Sequence, residues 1–168
     1  TTFGGAVGGT TPLTSLLVNG TGTTRINGGG VETDLSQTYS NAVELGAATT
    51  LTGFTINLYN ALTGAFALQI VGDAEFGQST GSRNDTLSLA SLSVTGDAAF
   101  HLQSITTTGA QSFGRNVTFN ADADLTAVGF TVTGTWNGAY DVTVDAGTGN
   151  ILIEGAIGTI LVPVGNLS

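Results

Sequence analysis

The chain echoes itself at a nearly constant offset. Thr38-Tyr39-Ser40-Asn41-Ala42-Val43-Glu44-Leu45 lies against Ser112-Phe113-Gly114-Arg115-Asn116-Val117-Thr118-Phe119 (113 − 39 = 74). Aromatic meets aromatic, valine meets valine, and leucine meets phenylalanine. Gln37 and Gln111 precede the two blocks at the same offset. Ala65–Ile70 matches Ala139–Val144 at 74, and Leu13–Gly20 matches Leu89–Gly96 at 76. Self-similarity at a fixed period signals an architecture built by stacking one unit on the next. The drift between 74 and 76 places insertions between the matching blocks, in loops that absorb them cheaply. The units run approximately 1–74, 75–148 and a partial 149–168, within one elongated repeat domain.

The echo falls on short strand-like runs. Leu16/Val18, Thr24/Ile26, Val43/Leu45, Phe54/Ile56/Leu58, Phe66/Leu68/Ile70 and Leu87/Leu89 each place apolar residues two apart. So do Leu92/Val94, Phe100/Leu102, Val117/Phe119, Phe130/Val132, Val142/Val144 and Ile151/Ile153. Period two sets each group on one face of a strand. Asn19-Gly20, Gly28-Gly29-Gly30, Thr63-Gly64, Thr95-Gly96, Thr108-Gly109, Asn137-Gly138 and Gly147-Thr148-Gly149 stand between them as turns. No long window has the helical period, so helix is expected nowhere beyond a turn near Tyr59–Leu62. The chain is all-β. A right-handed parallel β-helix is favoured, because the strands are short and Thr, Ser and Asn occupy the opposite face. The alternative is a pair of antiparallel β-sandwich repeats.

Charge removes several function classes. Three Arg, no Lys and twelve acids give a net charge of −9. A chain this poor in cations does not neutralise phosphates, so nucleic acid is not an expected partner. Anionic membrane surfaces repel it, and no apolar run approaches the ~20 residues of a membrane helix. Cys and Met are absent, and the chain begins without an initiator Met. It reads as a mature product or a piece of something longer.

Leu92-Ser93-Val94-Thr95-Gly96, Ile105-Thr106-Thr107-Thr108-Gly109-Ala110-Gln111-Ser112-Phe113 and Thr50-Leu51-Thr52-Gly53 resemble the repeats of filamentous-haemagglutinin-like bacterial surface proteins. The resemblance covers about residues 1–160 and rests on composition and repeat style, with no catalytic motif. Neither Pro12 nor Pro163 follows Asn, so the Asn-Pro-Asn motifs of that family's secretion domain are absent. The resemblance implies a right-handed parallel β-helix, secretion to the cell surface, and a structural or adhesive role.

Candidate chemistry is sparse. His101, the only histidine, stands between Phe100 and Leu102 and is expected to face outward with no partner. Asn120, Asp122 and Asp124 alternate on one face, as weak Ca²⁺ ligands would. However, Leu125 stands where an EF-hand loop needs Gly, and Thr131 where it needs Glu. A solvated acidic edge is the plainer reading, and no cofactor is expected. Asp141 and Asp145 read the same way. The Thr pairs Thr50/Thr52, Thr106/Thr108 and Thr131/Thr133/Thr135 raise ice binding, but they fall in different registers of the unit. Thr also suits any exposed strand. Asn-X-Ser/Thr at Asn19, Asn84, Asn116 and Asn166 is expected by chance.

An enzyme is not expected. Polysaccharide lyases need cations as base and as carboxylate partners, and only Arg25, Arg83 and Arg115 are present. The expected role is a structural subunit of a bacterial extracellular fibre or adhesin, self-associating into a homo-oligomer or homopolymer. Joining surfaces are expected at Thr1, Phe3 and Val7 at one end. At the other they are Ile157, Ile160, Leu161, Val162 and Val164, with Pro163 marking an edge. A glycan- or surface-binding module is the alternative. It would be read through Trp136, Tyr39, Tyr59 and Tyr140, although Tyr39 and Tyr140 are expected in the core through their alignment with Phe113 and Phe66.

Overall fold

Short runs that alternate inward apolar and outward polar residues cannot bury their apolar side alone. They do so here by winding into coils that stack. The structure, a computed structural model, describes residues 1–79 and 86–158. It is a parallel β-helix of about eight coils. Every strand pairing within it is parallel, which excludes the sandwich alternative. Among the described residues there is no helix, and Leu62–Thr63, near the expected helical turn, is a strand.

Each coil presents three faces. The first is an eight-stranded sheet: Thr2–Phe3, Thr24–Ile26, Val43–Leu45, Leu62–Thr63, Thr86–Leu89, Ser104–Thr107, Ala123–Thr126 and Val142–Asp145. Along it Thr2, Arg25, Glu44, Thr63, Ser88, Thr106, Thr126 and Asp145 lie over one another. The sequence step from coil to coil along this row is therefore 23, 19, 19, 25, 18, 20 and 19 (25 − 2, 44 − 25, and so on). The second face passes through Gly30–Glu32, Ser91–Val94, Gln111–Phe113, Phe130–Val132 and Ile151–Ile153. The third contains Leu16–Val18, Ser36–Tyr39, Ala98–Phe100, Val117–Phe119 and Trp136–Asn137. Two long strands, Thr49–Leu58 and Ala67–Phe76, run through both faces and join them into one twelve-stranded sheet.

The sequence echo turns out to span about three and two-thirds coils. It therefore superposes residues from different faces. Tyr39 sits on the third face and Phe113 on the second. Val43 sits on the first and Val117 on the third, while Leu51 sits on the second and Leu125 on the first. The shift is consistent: one third of a turn throughout. Local interactions follow it. Gln37 Nε2 donates to the carbonyls of Val31 (3.0 Å) and Thr52 (2.8 Å), and Gln111 Nε2 to those of Ile105 (3.4 Å) and Thr126 (3.2 Å). Thr33 Oγ1 donates to the Leu35 carbonyl, and Thr107 Oγ1 to that of Gly109. Each member of the second set follows its counterpart at the offset of the echo (111 − 37 = 74, 107 − 33 = 74). The carbonyls of Thr52, Leu35 and Gly109 also accept the backbone N–H of Thr33, Phe54 and Val128, so the buried Gln or Thr adds a second donor to a carbonyl with two lone pairs.

The interior is a continuous apolar column, with its largest side chains in the later coils. Phe76, Phe100 and Phe119 stack at centroid distances of 4.9 and 5.5 Å, with interplanar angles of 8° and 17°. Trp136 continues the stack 4.9 Å from Phe119. In-register aromatics on adjacent coils meet because parallel strands lie about 4.8 Å apart. Each such burial contributes roughly 1.5–3 kcal/mol. Several residues depart from the period-two reading. Phe54 is 73% exposed, Phe66 and Ile151 are also exposed, and Thr33, Thr49 and Thr107 point inward rather than out. Phe54 is displaced because the strand register shifts between Thr52 and Thr55, which reverses the alternation at Gly53.

Candidate functional site

The corner that follows the third face holds a side-chain cluster with chemical potential. Tyr39, Leu58, Phe76, Phe100 and Phe119 are in register, so the next residues of each coil stack in turn: Ser40, Tyr59, Gly77, His101 and Asn120. Backbone hydrogen bonds fix this stack. Tyr59 N donates to the Tyr39 carbonyl (3.1 Å), Gly77 N to that of Leu58 (2.8 Å), and His101 N to that of Phe76 (2.8 Å). Gly77 is the gap in the column. Its φ is +79°, and a Cβ there would lie 2.8 Å from Leu102 Cδ2 and 3.2 Å from His101 Cβ. His101 and Leu102 therefore pack against the Gly77 backbone, in the space a side chain there would enter.

Glu75 stands two residues before Gly77, between the inward Ala74 and Phe76. His101 Nε2 lies 3.3 Å from Glu75 Oε1. Burial, with the nearby Glu75 carboxylate, holds the Tyr59 phenol above its ordinary pKa. An open cleft of about 370 Å³ lies in front, lined by Ser40, Tyr59, Glu75, Gln78 and Ser79. His101 is therefore not the outward, partnerless residue expected from its place between Phe100 and Leu102. It is 9% exposed and partnered, because the chain turns the corner after Phe100 and lays the imidazole over Gly77.

The acidic trio straddles the same corner in a later coil. Asn120 closes the third face and is half-buried, while Asp122 and Asp124 open the first face and are exposed. The Asp122 carboxylate accepts the Asp141 N–H at 3.0 Å, tying one coil to the next. Among the described residues no group of three or more His, Asp or Glu side chains is placed to hold a metal ion. The Thr pairs are divided: Thr106 lies on the first face, whereas Thr50 and Thr131 lie on the second. The second-face row reads Thr50, Gln69, Ser93, Ser112, Thr131, Leu152, so hydroxyls do not form an unbroken array. Trp136 and Tyr39 are core residues, and Tyr140, expected in the core, is only partly covered. Of the four aromatics considered for surface recognition, Tyr59 is the one that borders a polar cleft.

The expected joining surfaces are placed in part. Thr1 is exposed, Phe3 and Val7 are half-buried, and Ile157 is 45% exposed. Ile160, Leu161, Val162 and Val164, with Pro163, lie outside the described residues, as does Arg83. Among the described residues, Thr2–Phe3 and Leu16–Val18 each pair on one edge only, with Thr24–Ile26 and Ser36–Tyr39. At the opposite end Ile151–Ile153 pairs, among the described residues, with Phe130–Val132. Phe3, Val7 and Leu16 at one end, and Val144 and Ile153 at the other, pack on the core without being fully covered. The chain matches no known protein-family model, no curated protein and no solved structure.

Proposed function

We propose that this chain is a structural rod segment of a secreted bacterial cell-surface fibre or adhesin of the filamentous-haemagglutinin-like kind, without catalytic activity. The observation that carries the reading is the first coil. Thr2–Phe3 and Leu16–Val18 pair on one edge only among the described residues, and Phe3, Val7 and Leu16 are not fully covered, so a further coil can add at that end. Such edges seek a partner strand, supplied by more of the same chain or by a second copy. Head-to-tail addition of identical rods does not close on itself and so produces a filament. The interior supports a load-bearing role: the ladder hydrogen bonds lie along the rod axis and act in parallel on three faces. A non-enzymatic role fits the cations, since Arg25 is already paired with Glu44 at 3.1 Å.

Negative-stain microscopy of the purified protein, with sedimentation velocity, tests the reading. Filaments, or rods that lengthen with concentration, are expected. A variant lacking residues 157–168 should give short, monodisperse rods. Polymers of unchanged length in that variant would sink the proposal.

A further inference from the structure

We infer that the second face is a lateral docking surface for a second copy of this chain, laid antiparallel against it. This goes beyond the rod reading and does not depend on it, since the contact is side to side rather than end to end. Two independent observations carry it. The first is charge. From the third coil to the eighth this face consists of residues 49–52 and 67–71 of the two long strands, then Ser91–Val94, Gln111–Phe113, Phe130–Val132 and Ile151–Ile153, and none of these residues is charged. The other faces are not spared: Glu44, Asp124 and Asp145 stand on the first, and Asp73 and Glu75 on the third. The second observation is exposed apolar surface. Val71 and Leu152 project from the second face, Phe66 and Val128 stand on its border with the first, and Leu35 and Phe54 on its border with the third. Among the described residues no exposed large apolar side chain stands on the first face.

Apolar side chains scattered singly over a surface need no explanation, but their concentration on the one face that is free of charge marks an interface. The occupant follows from the charge. A cationic partner would be held by the acids of the other faces and gain nothing from an uncharged one. A second copy carries the same −9, and like-charged rods meet side by side with least repulsion where neither presents a carboxylate. Geometry sets the direction. Phe66, Ala90, Gly109 and Val128 form one column, in which the backbone N–H of each donates to the carbonyl of the one before at 3.0, 2.7 and 2.9 Å. A two-fold axis crossing the face between the fifth and sixth coils lays two copies antiparallel, with this column of one against the same column of the other. Phe66 of one copy, in the fourth coil, then meets Val128 of the other, in the seventh, and symmetry repeats the contact. The uncharged span has the same midpoint, so it is covered from end to end. Parallel pairing would lay this border on the opposite one and set Phe66 against Asp73, which lies in the same coil. Six strands about 4.8 Å apart, each presenting about five residues at about 3.3 Å, give a flat patch of roughly 500 Å². A standard interface buries roughly 800 Å² per partner, so one pair of rods is held weakly, and rods continued end to end multiply the contact.

The chain has no cysteine, so a single introduced thiol reports the contact. The variants Phe66→Cys and Val128→Cys are mixed in equal amounts at about 0.1 mM, to suit a weak interface, in about 0.15 M NaCl to screen the net repulsion. They are oxidised in air, and disulfide-linked dimers are scored by non-reducing electrophoresis. A disulfide needs Cα atoms within about 7 Å. End-to-end joining leaves these two positions of successive copies five coils apart, roughly 24 Å, and so cannot produce the link. The mixture should give several-fold more dimer than either variant alone. Ser112→Glu, carried by both partners, sets a carboxylate near the centre of the face and should remove that excess. Ser88→Glu, an equally exposed serine on the first face, should leave it in place, and circular dichroism should confirm that each variant is folded. The inference is overturned if the mixture gives no more dimer than the single variants, if Ser112→Glu leaves the excess unchanged, or if Ser88→Glu removes it equally. Filament length is scored separately by microscopy, so rods that pair sideways without lengthening, or lengthen without pairing, tell the two proposals apart.

Discussion

At the scale of single residues, two copies of one corner differ by one oxygen atom. Gln37 and Gln111 are both fully buried, and each uses its amide N–H groups on inward carbonyls. Gln37 Oε1 also accepts the Tyr39 hydroxyl at 2.9 Å. Gln111 has Phe113 in the equivalent place, and its Oε1 has no partner. An unsatisfied buried acceptor loses its hydration without recovering a bond. Tyr39→Phe should therefore destabilise the protein by about 1–3 kcal/mol, while Phe113→Tyr should stabilise it by roughly 0.5–1.5 kcal/mol. Urea-denaturation midpoints of the two variants check both signs, and the same sign for both would refute the equivalence of the corners. Tyr39 also sets an alkaline limit. Burial raises its phenol pKa well above the ordinary value near 10. Below pH 10 both folded and unfolded chains keep this proton, and its contribution is constant. Above pH 10 the unfolded chain releases it while the folded chain retains it, so stability falls by about 1.4 kcal/mol per pH unit from this group. Stability measured at pH 8, 10 and 11 should fall more steeply in the parent than in Tyr39→Phe.

At the scale of elements, the corner between the second and third faces depends on glycine. The strand Ala67–Phe76 bends at Gly72, whose φ is +137° and where a Cβ would fall on the Gly53 carbonyl oxygen of the coil below. Gly72→Ala should cost about 3 kcal/mol or more, since both the backbone angle and the contact oppose it. Gly22→Ala, where a Cβ meets nothing within 4 Å, should change stability by less than about 0.5 kcal/mol. Thermal melts of the pair decide it. The same corner shows how far sequence reaches. Period two places the bodies of strands such as Val43–Leu45, Val117–Phe119 and Phe130–Val132, because two or three inward apolar residues are a local signal. It continues the alternation through Phe54, where the bend at Gly53 reverses it, because a register shift is set by the coil below rather than by the strand itself. Strands whose inward residues include Gln or Thr, such as Gln111–Phe113, have no apolar pair to announce them. The three faces share one inward–outward pattern, so the long-range match carries no information about which face it joins. The cluster at His101 is hidden for a related reason. Glu75 and Tyr59 stand well before it in the chain (101 − 75 = 26, 101 − 59 = 42) and become neighbours only when the coils stack.

At the scale of the whole molecule, assembly sets open apolar ends against a shared negative charge. The described end coil exposes Ile151, Leu152 and Ile157, and the opposite end exposes Leu13 and Leu17. Joining them removes apolar surface from water, at roughly 25 cal/mol per Å², and completes ladder hydrogen bonds. Two copies that each carry a charge of −9 repel as they approach. Of the three Arg, Arg25 is already engaged with Glu44, so ion pairs between copies have few cations to use. The Debye length falls from about 30 Å at 0.01 M salt to about 8 Å at 0.15 M. Screening therefore removes the opposing term and leaves the apolar and ladder terms almost untouched. Average mass by sedimentation should rise as NaCl is raised from about 0.01 to 0.15 M, a range chosen to span that change in screening. Leu152→Lys, which sets a charge on an edge strand, should hold the protein at the mass of one rod. A mass that falls with salt would mean that the copies are joined by ion pairs instead, and the strand-edge mechanism would have to be abandoned.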